Sequence, residues 1–487
     1  MTIDRWIAEA DPDAPALGFE GERWSYGELA AWVEETARRL TAAGVGRGDR
    51  VAWYGMNRPE VFFLFFACAR LGAVFVPLNW RLAAAEVAGV VDDCDPKLVV
   101  HDDRFAHPAQ ALRRPRRAVA PFAAEWPLGE ASVGGGAAGD PLLIVYTSGS
   151  TGRPKGVVLT QEAVAANATM SVEAHGLTAA SRALVLLPLF HVGGLNILST
   201  PAFSIGASVE LHEKFEPDAA VEALQRATHA ILVPTVLAAM MAAPGWAEAD
   251  LSGIDVLSIG STDVPVEQIE AVHARGAPMI QIYGATETSP IAIHQTAAEA
   301  RTTVGALGRA GSLCEIRLMR ADGTEAATGE PGEIWAKGPN VLKEYWRNPE
   351  ETARSLQDGW FRTGDVAVRG EDGLYRFADR IKHVVISGGE NIYPAELERV
   401  LRPHPKIAEV AVVGQPDPKW GEIPVAVVVP RDRLRASEVL GAFNGALARY
   451  KHPKKVIFVD ALPRNAMGKV VAAEVRAMIS GEALAEA

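Results

Sequence analysis

The stretch YTSGSTGRPKG, Tyr146–Gly156, decides the fold, because it combines a phosphate-binding composition with an unusual position between two strand patterns. Its glycines leave backbone N–H groups accessible to phosphate oxygens, its hydroxyl side chains add hydrogen-bond donors, and Lys155 adds a positive charge. The common P-loop, G-x-x-x-x-G-K-[ST], places lysine directly after glycine and leads into a helix. Here Arg-Pro separates glycine from lysine, and the strand pattern GVVLT follows. The stretch therefore predicts a polyphosphate site of another kind, on a loop that joins two strands.

Strand and helix patterns alternate on both sides of this loop. The strand-like runs VAWYG (51–55), AVFVPLN (73–79) and KLVVHD (97–102) are separated by helical patterns, and the same rhythm returns between 182 and 284. This succession is typical of mostly parallel sheets covered by helices. We therefore predict an α/β protein whose large N-terminal domain contains two doubly wound sheets.

The last third of the chain follows other patterns. From about 301 to 380, short runs between the turns ADGT, GEPGE and GEDG indicate a β-rich subdomain. The strands AEVAVVG and IPVAVVVP, with a helix over SEVLGAFNGALARY, then indicate a small α+β domain. Two or more domains are expected for 487 residues, because single cores stop growing near about 250–300 residues. We predict domains at 1–381 and 382–487.

Composition and charge argue against several classes of protein. A net charge of −12 argues against nucleic-acid binding, which requires a basic face. The cysteines Cys68, Cys94 and Cys314 lie far apart, which indicates a reducing compartment and no cysteine metal site. The most apolar stretch, 61–78, contains an arginine and is short for a membrane span, and the N-terminus has no signal-peptide pattern. We expect a cytoplasmic protein without a membrane span.

Common catalytic motifs are missing from the sequence. It contains no G-x-S-x-G, no H-E-x-x-H and no cluster of cysteine and histidine. The segment GGGAAG (134–139) matches G-x-G-x-x-G, but it leads into a strand rather than a helix. We interpret it as a linker and not as a dinucleotide site.

A second segment with chemistry is QIYGATETSP (281–290). It closes a predicted strand, where open α/β sheets place their ligands. Tyr283 suits stacking on a base, Thr286 suits donation to an α-phosphate, and Glu287 suits a Mg²⁺ ion that bridges phosphates. The segment predicts a nucleotide site.

Two more segments follow towards the C-terminus. DGWFRTGD (358–365) offers the Asp365 carboxylate to the two hydroxyls of a ribose, and Arg380 in DRIKH adds a charge beside it. PRNAMGKVV (463–471) places a single lysine after a glycine. A lysine near a C-terminus is usually only solvated. This last segment therefore indicates a functional lysine only in combination with the other three segments.

In this order and spacing, the four segments resemble the adenylate-forming superfamily of acyl- and aryl-CoA synthetases, luciferases and peptide-synthetase adenylation domains. The resemblance runs from WSYGEL (24–29) to NAMGKVV and includes SGGENIYPAELE (387–398). It implies an AMP-forming acid–thiol ligase with ATP, Mg²⁺ and coenzyme A as cofactors and co-substrates. A carboxylic acid would first form an acyl-adenylate and then a thioester, while a hinged C-terminal lid rotates between the two steps.

The resemblance also assigns roles to matching positions. It places these residues at ATP or AMP: Thr147, Ser148, Gly149, Ser150, Thr151, Gly152, Lys155, Gly260, Ser261, Thr262, Gln281, Ile282, Tyr283, Gly284, Ala285, Thr286, Asp365, Arg380 and Lys469. Its catalytic residues are Lys469, Thr286 and Glu287, and its metal ligands are Glu287 and Thr151. Its acyl pocket comprises Phe190, His191, Gly193, Asn196 and Val233. Gly388 and Gly389 lie at the CoA tunnel, and Lys382 is the hinge.

Departures from the family pattern concern the substrate. GSTDVP (260–265) replaces the more frequent G-G-A-x-x-P beside adenine and the acyl group, while Gln161 and His383 also differ from the frequent residues. The sequence shows no arginine or lysine near the presumed pocket segments that would pair with a second carboxylate. We therefore expect an aromatic or medium-chain monocarboxylic acid.

Three other functions remain open at this point. The acceptor of the acyl group is alternatively an amine or a carrier protein, although no carrier domain follows the lysine motif. An oxygenase of the luciferase type is a second alternative. A non-catalytic nucleotide sensor is the third, and the presence of Lys155, Glu287 and Lys469 argues against it. The acid and the oligomeric state are not determined, and a homodimer is one option.

Overall fold

A computed structural model of the chain describes residues 3–112, 114–118, 128–129, 135–147, 154–260, 264–387, 390–444, 446–447, 449–465 and 468–480. The chain packs as two compact units. The first unit comprises Met1–Ile316 and Trp335–Thr363, and the second comprises Arg317–Ile334 and Gly364–Ala487. No helix among the described residues is both long and apolar enough to cross a membrane.

The described helices are α1 (Arg5–Glu9), α2 (Tyr26–Ala42), α3 (Pro59–Leu71), α4 (Ala84–Cys94), α5 (Ala106–Gln110), α6 (Gln161–His175), α7 (Val192–Gly194), α8 (Thr200–Ser204), α9 (Pro217–Leu224), α10 (Pro234–Ala242), α11 (Val266–Ala274), α12 (Pro349–Ser355), α13 (Pro394–Leu401), α14 (Ala436–Gly441) and α15 (Ala472–Ser480). Short 3₁₀ turns occur at Asp103–Phe105, Pro244–Trp246, Thr286–Thr288, Ile381–His383 and Arg449–Lys451, and one π-helical turn at Leu195–Ser199.

The described strands are β1 (Pro15–Phe19), β2 (Glu22–Ser25), β3 (Arg50–Tyr54), β4 (Val74–Pro77), β5 (Leu98–His101), β6 (Arg116–Ala118), β7 (Pro141–Thr147), β8 (Lys155–Thr160), β9 (Arg182–Val185), β10 (Ser208–Leu211), β11 (His229–Leu232), β12 (Val256–Gly260), β13 (Met279–Gly284), β14 (Ile291–His294), β15 (Arg309–Ala310), β16 (Glu315–Met319), β17 (Pro331–Lys337), β18 (Glu344–Tyr345), β19 (Leu356–Gln357), β20 (Trp360–Arg369), β21 (Tyr375–Arg380), β22 (Val385–Ser387), β23 (Glu390–Ile392), β24 (Ile407–Asp417), β25 (Gly421–Pro430) and β26 (Lys455–Phe458).

Two large sheets organise the first unit. Within the described residues, one sheet has the strand order β15-β14-β13-β12-β11-β9-β10-β1-β2, and the other has the order β18-β8-β7-β4-β3-β5-β6. Their central strands pair in parallel, whereas β7 and β8 form an antiparallel hairpin. The predicted α/β class with two doubly wound sheets is therefore confirmed, and the phosphate-loop stretch joins β7 to β8 as expected.

The apolar stretch at 61–78 forms a buried helix followed by a buried strand. Helix α3 begins with a proline in its first turn and ends at Gly72, whose φ of 66° is a conformation that glycine adopts readily. Every residue from Val61 to Ala69 is buried, and β4 is buried along its whole length. A helix that is apolar on all sides belongs inside a large core, which explains this segment without a membrane.

The second unit is built around the long strand pair β24–β25. Successive side chains of a strand face opposite sides of its sheet, and here both sides are apolar. Val412, Ala426 and Val428 pack in a cluster with α13 and α14, whereas Val413 and Val425 pack in another cluster with α15. Helices thus cover both faces of this sheet, which gives the predicted α+β architecture.

Two details differ from the sequence patterns. The helix predicted over 437–450 ends at Gly441, because Gly441 and Asn444 are weak helix formers. A third sheet has the order β16-β17-β20-β19, with β21 beside β20, and corresponds to the predicted β-rich subdomain. The two compact units group 317–334 and 364–381 with the C-terminal residues. The domain boundary at 381/382 stays a prediction.

Candidate active site

The hairpin β7–β8 positions Lys155 at the base of the phosphate-loop stretch. Thr147 lies directly opposite Lys155 in the register of the pair, so the loop starts and ends at the same edge of the sheet. The Lys155 ammonium forms an ion pair with Glu351, with 2.8 Å between Nζ and Oε1. Both side chains are largely buried, at 13% and 12% exposure, so solvent screens this pair only partly.

Close packing requires the glycine that follows this lysine. A Cβ atom at Gly156 would meet the side chains of Ile144, Tyr146 and Trp346 at 2.8–3.1 Å, which real Cβ contacts scarcely reach. The hydroxyl of Tyr146 contacts the Asp93 carboxylate on α4. The absence of a side chain at Gly156 therefore allows β8 to pack closely against these three side chains, and this packing sets the position of the neighbouring Lys155.

The second predicted segment follows β13. A Cβ atom at Gly284 would overlap the carbonyl oxygen of Pro290, and one at Gly260 would overlap the carbonyl oxygen of Ile282. These two glycines close neighbouring parallel strands, β12 and β13, at the same edge of the sheet. Tyr283 is buried at this edge, and Ala285 and Thr286 lead into the 3₁₀ turn Thr286–Thr288.

Glu287 on this turn is held by a residue that the sequence analysis did not identify. The hydroxyl of Tyr345 donates to Glu287 Oε1 at 2.9 Å, and the backbone N–H of Leu342 donates to the Glu287 carbonyl at 2.7 Å. Burial and the nearby Glu287 carboxylate raise the pKa of Tyr345, so its hydroxyl keeps its proton and remains a donor. The Lys155 ammonium lies 5.8 Å from the centre of the Tyr345 ring. Tyr345 therefore contacts two predicted phosphate-site residues.

Asn340 supports the same turn from below and was also not identified. Its side-chain NH₂ group donates to the backbone carbonyls of Thr288 at 3.1 Å and Ile291 at 2.8 Å, and its backbone carbonyl accepts from the Ser289 hydroxyl at 2.8 Å. Asn340 is fully buried. Buried backbone carbonyls require hydrogen-bond donors. At this turn the Asn340 side-chain amide supplies donors that strand pairing does not provide.

The predicted acyl residues lie on the segment between β9 and the π-helical turn. The Phe190 ring lies 4.4 Å from the His191 ring and 6.3 Å from the Trp80 ring. Asn196 is fully buried, and its backbone carbonyl accepts a hydrogen bond from the Asn167 side-chain amide at 2.6 Å. Gly193 lies within the short helix α7, and Val233 directly precedes α10.

One expectation about this segment is wrong. The sequence shows no arginine or lysine near this segment, whereas in the structure the Arg81 guanidinium lies 5.9 Å from the centre of the Phe190 ring and 5.0 Å from that of Trp80. Arg81 is exposed, yet its surroundings lower its pKa through partial desolvation. The error arises because Arg81 is distant in sequence and only the fold brings it beside Phe190.

Three predicted residues meet in the second unit. Asp365 on β20 lies opposite Arg380 on β21, and Arg380 Nε donates to Asp365 Oδ1 at 2.9 Å. The Asp365 side chain is 7% exposed and is paired with this guanidinium. Lys469 lies within electrostatic reach of this pair. Burial and the positive charge of Arg380 lower the pKa of Lys469, Asp365 acts in the opposite direction, and the net value is about 8.

A tight turn presents Lys469. The Lys469 N–H donates to the Asn465 side chain at 3.0 Å, and the Lys469 carbonyl accepts from the Asn465 N–H at 2.9 Å. Gly468, with φ of 74°, supplies the left-handed conformation that the turn requires. Arg464 pairs with Val470 across it as an isolated bridge. The Lys469 backbone is thus held by Asn465 and is not part of a solvated tail.

The predicted hinge lies on the 3₁₀ turn Ile381–His383, which contains the Lys382 backbone. Asp379 accepts from the Ala395 N–H at 2.8 Å and so caps the first turn of α13. His383 Nδ1 lies 3.7 Å from the same carboxylate.

Several predicted residues lie outside the described part of the chain. These are Ser148, Gly149, Ser150, Thr151 and Gly152 of the phosphate loop, Ser261 and Thr262 beside Gly260, and Gly388 and Gly389 of the predicted CoA tunnel. Gln281 and Ile282 are described and buried on β13. Their roles at the nucleotide remain predictions, as do those of the residues described above.

Comparison with known proteins identifies the family. The AMP-binding enzyme family matches residues 4–346, and the AMP-binding enzyme C-terminal domain matches 396–469. The chain is 45% identical to indoleacetate–CoA ligase of Aromatoleum aromaticum over all of both chains, and 40% identical to feruloyl-CoA synthase of an Amycolatopsis species over 96% of each. Among solved structures, amide bond synthetase McbA of Marinactinospora thermotolerans matches 98% of this chain and 99% of its own, with a TM-score of 0.90 and 28% identity. The chain therefore belongs to the adenylate-forming superfamily, in its acyl- and aryl-CoA synthetase branch.

Proposed function

We propose that the protein joins an aromatic monocarboxylic acid to coenzyme A in two steps, through an acyl-adenylate formed from ATP. The AMP-forming acid–CoA ligase activity itself agrees with the relatives, which are CoA ligases for indoleacetate and ferulate. Both of these relatives take aromatic acids, and we extend that substrate class to this chain.

The aromatic cluster at the candidate acyl segment is the observation that carries the substrate class. The centre of the Phe190 ring lies 4.4 Å from that of His191 and 6.3 Å from that of Trp80. Edge-to-face contacts favour a flat aromatic guest, each contributing about 0.5–1.5 kcal/mol beyond its burial. A monocarboxylic acid was expected because no cation was found near the pocket segments, and Arg81 beside these rings removes that reason. The substrate panel below therefore includes a dicarboxylic acid.

The first step requires charge neutralisation more than acid–base chemistry. A carboxylate is a weak nucleophile, and its approach to a phosphate brings two anions together. Lys469 would stabilise the carboxylate and the α-phosphate, Thr286 would donate to the α-phosphate, and Lys155 would hold the β- and γ-phosphates. Asp365 would accept both ribose hydroxyls while Arg380 keeps its carboxylate in place, which the 2.9 Å contact supports.

The residues present fit a Mg²⁺ ion that is shared with the substrate. In the described part of the chain, no three acidic, histidine or cysteine residues are grouped as metal ligands. Glu287 would hold the ion together with Thr151 and phosphate oxygens, as is usual for magnesium with nucleotides. When bound, Mg²⁺ neutralises charge on the phosphates of ATP.

The second step transfers the acyl group to a thiol. We assign Gly388 and Gly389 to the pantetheine tunnel and Lys382 to the hinge about which residues 382–487 rotate. Rotation would withdraw Lys469 after adenylation and admit coenzyme A, while exclusion of water protects the mixed anhydride. We also propose a cytoplasmic location. A homodimer is one option for the oligomeric state, which light scattering of the purified protein would determine.

The experiment is a comparison of kcat/KM for thioester formation with indoleacetate, ferulate, octanoate and 2-succinylbenzoate. The proposal predicts that the two aromatic monocarboxylates exceed octanoate by about tenfold or more, since each lost apolar contact costs about 1–3 kcal/mol. A higher kcat/KM for octanoate would contradict the aromatic class. A preference for 2-succinylbenzoate that disappears in Arg81→Ala would assign a second carboxylate to Arg81.

A further inference from the structure

The strand β18 and the helix after it carry residues that touch the phosphate-site candidates without having been assigned any role. Tyr345 and Glu351 are the two residues concerned, and Glu351 lies beyond the end of the AMP-binding family match at 346. Each contacts a residue whose proposed ligand is ATP or its metal ion. This segment therefore contacts candidate phosphate-site residues on β8 and on the turn after β13.

Tyr345 is tied into place by its own backbone. It pairs with Val157 across β18–β8, and its N–H donates to the Thr352 hydroxyl at 2.9 Å. Its side chain is 5% exposed. A residue fixed on both its main chain and its ring has few alternative rotamers, so its hydroxyl direction is set before any ligand binds.

The two functional ends of Tyr345 reach two different groups. Its hydroxyl donates to Glu287 Oε1 at 2.9 Å, which fixes the direction of that carboxylate. Its ring lies 5.8 Å from the Lys155 ammonium, within the range of a cation–π contact. Glu351 Oε1 holds the same ammonium at 2.8 Å, and Arg354 pairs with the other oxygen of the Glu351 carboxylate.

We propose that Tyr345 is a positioning residue that orients Glu287 for the metal ion of MgATP and, through its ring, Lys155 for the phosphates. Outer partners of a ligating carboxylate typically change metal affinity about 10–100-fold when removed. A flexible lysine stem gains affinity when its ammonium is already in place, because less rotamer freedom is lost on binding. The inference rests on the proposed roles of Glu287 and Lys155.

Calorimetric titration of ATP into the acid-free protein tests the inference, once with magnesium chloride and once with EDTA. The magnesium enhancement is defined as Kd in EDTA divided by Kd with magnesium. Tyr345→Phe keeps the ring over Lys155 and removes only the hydroxyl. We expect it to reduce the magnesium enhancement about tenfold and to leave the EDTA value within about twofold. Tyr345→Leu should also weaken binding in EDTA, since the ring is lost.

A matched control is Tyr26→Phe, which removes another buried tyrosine hydroxyl, bound at 2.6 Å to the Ala207 carbonyl. Tyr26→Phe should lower the melting temperature about as much as Tyr345→Phe does, but it should keep the wild-type magnesium enhancement. A wild-type enhancement in Tyr345→Phe, or an equal loss of affinity with and without magnesium, would overturn the inference. Glu287→Gln tests the metal-binding role of Glu287 separately from the positioning role of Tyr345. If this variant keeps the full magnesium enhancement, the proposed role of Glu287 fails.

Discussion

The adenylation half-reaction is predicted to slow as the pH rises through about 8, because Lys469 loses its proton there. Its pKa is lowered to about 8 from the ordinary 10.5 by burial and by Arg380, against a smaller opposite effect of Asp365. A lowered lysine pKa leaves the ammonium form populated below pH 8 and depletes it above. The proposed role of Lys469 requires that ammonium form, so activity follows its population.

The size of the effect follows from the same value. With a pKa of about 8, about nine-tenths of Lys469 is charged at pH 7 and about one-tenth at pH 9, so the rate should fall about tenfold between them. A lysine with the ordinary pKa would remain almost fully charged at pH 9. The lowering of the Lys469 pKa from 10.5 to about 8 corresponds to about 3 kcal/mol of free energy that disfavours the charged form.

The assay measures kcat/KM for pyrophosphate release between about pH 6.5 and 9.5, since this ratio reports the free enzyme. Thioester formation from supplied acyl-adenylate is the control, because it should not require Lys469. Arg380→Met should move the midpoint to higher pH, since it removes the neighbouring positive charge. The reasoning is refuted if wild-type pyrophosphate release stays constant to pH 9.5, or if the control reaction shows the same decline.

Three further predictions concern single substitutions. Lys469→Ala should abolish acyl-adenylate formation but preserve thioester formation from supplied acyl-adenylate, and loss of both in a folded variant would contradict its role. His191→Ala should raise the KM for the acid about tenfold and leave that for ATP unchanged; an unchanged KM for the acid would remove it from the pocket. Asn340→Ala should lower the free energy of unfolding in urea by about 2–4 kcal/mol, as two buried carbonyls lose their donor. Asn348→Ala, which removes only the cap of α12, should cost about 1 kcal/mol, and an equal cost for both variants would contradict the buried role of Asn340.

Local patterns were sufficient to predict the elements that carry the site. The hairpin around Lys155 was predicted because alternating apolar runs flank a loop rich in glycine, and the turn at Glu287 because it closes an apolar strand. Asp365 and Arg380 were predicted to lie near the same ribose, and the structure places them opposite each other on β20 and β21. In these cases the residues that meet lie on neighbouring elements, so sequence order is a good guide to contact.

The residues that were missed meet their partners across long sequence separations. Tyr345 reaches Glu287 and Lys155 only because the short strand β18 pairs with β8, and two residues of strand give no readable pattern. Arg81 lies beside Phe190 through the packing of a loop after β4, which periodicity does not indicate. The helix after residue 436 was predicted too long because its apolar spacing outweighed Gly441 and Asn444. Strand order and loop packing are properties of the whole fold, so no local window contains them.

The central claim is that the acyl-adenylate formed here is transferred to coenzyme A. Its most direct test is AMP release from ATP and magnesium with indoleacetate, measured in the presence and absence of CoA. The account predicts rapid AMP turnover only when CoA is present, with the CoA thioester as the product. Formation of pyrophosphate and a bound acyl-adenylate that CoA does not accelerate would contradict it and would assign the acyl group to an amine or a carrier protein.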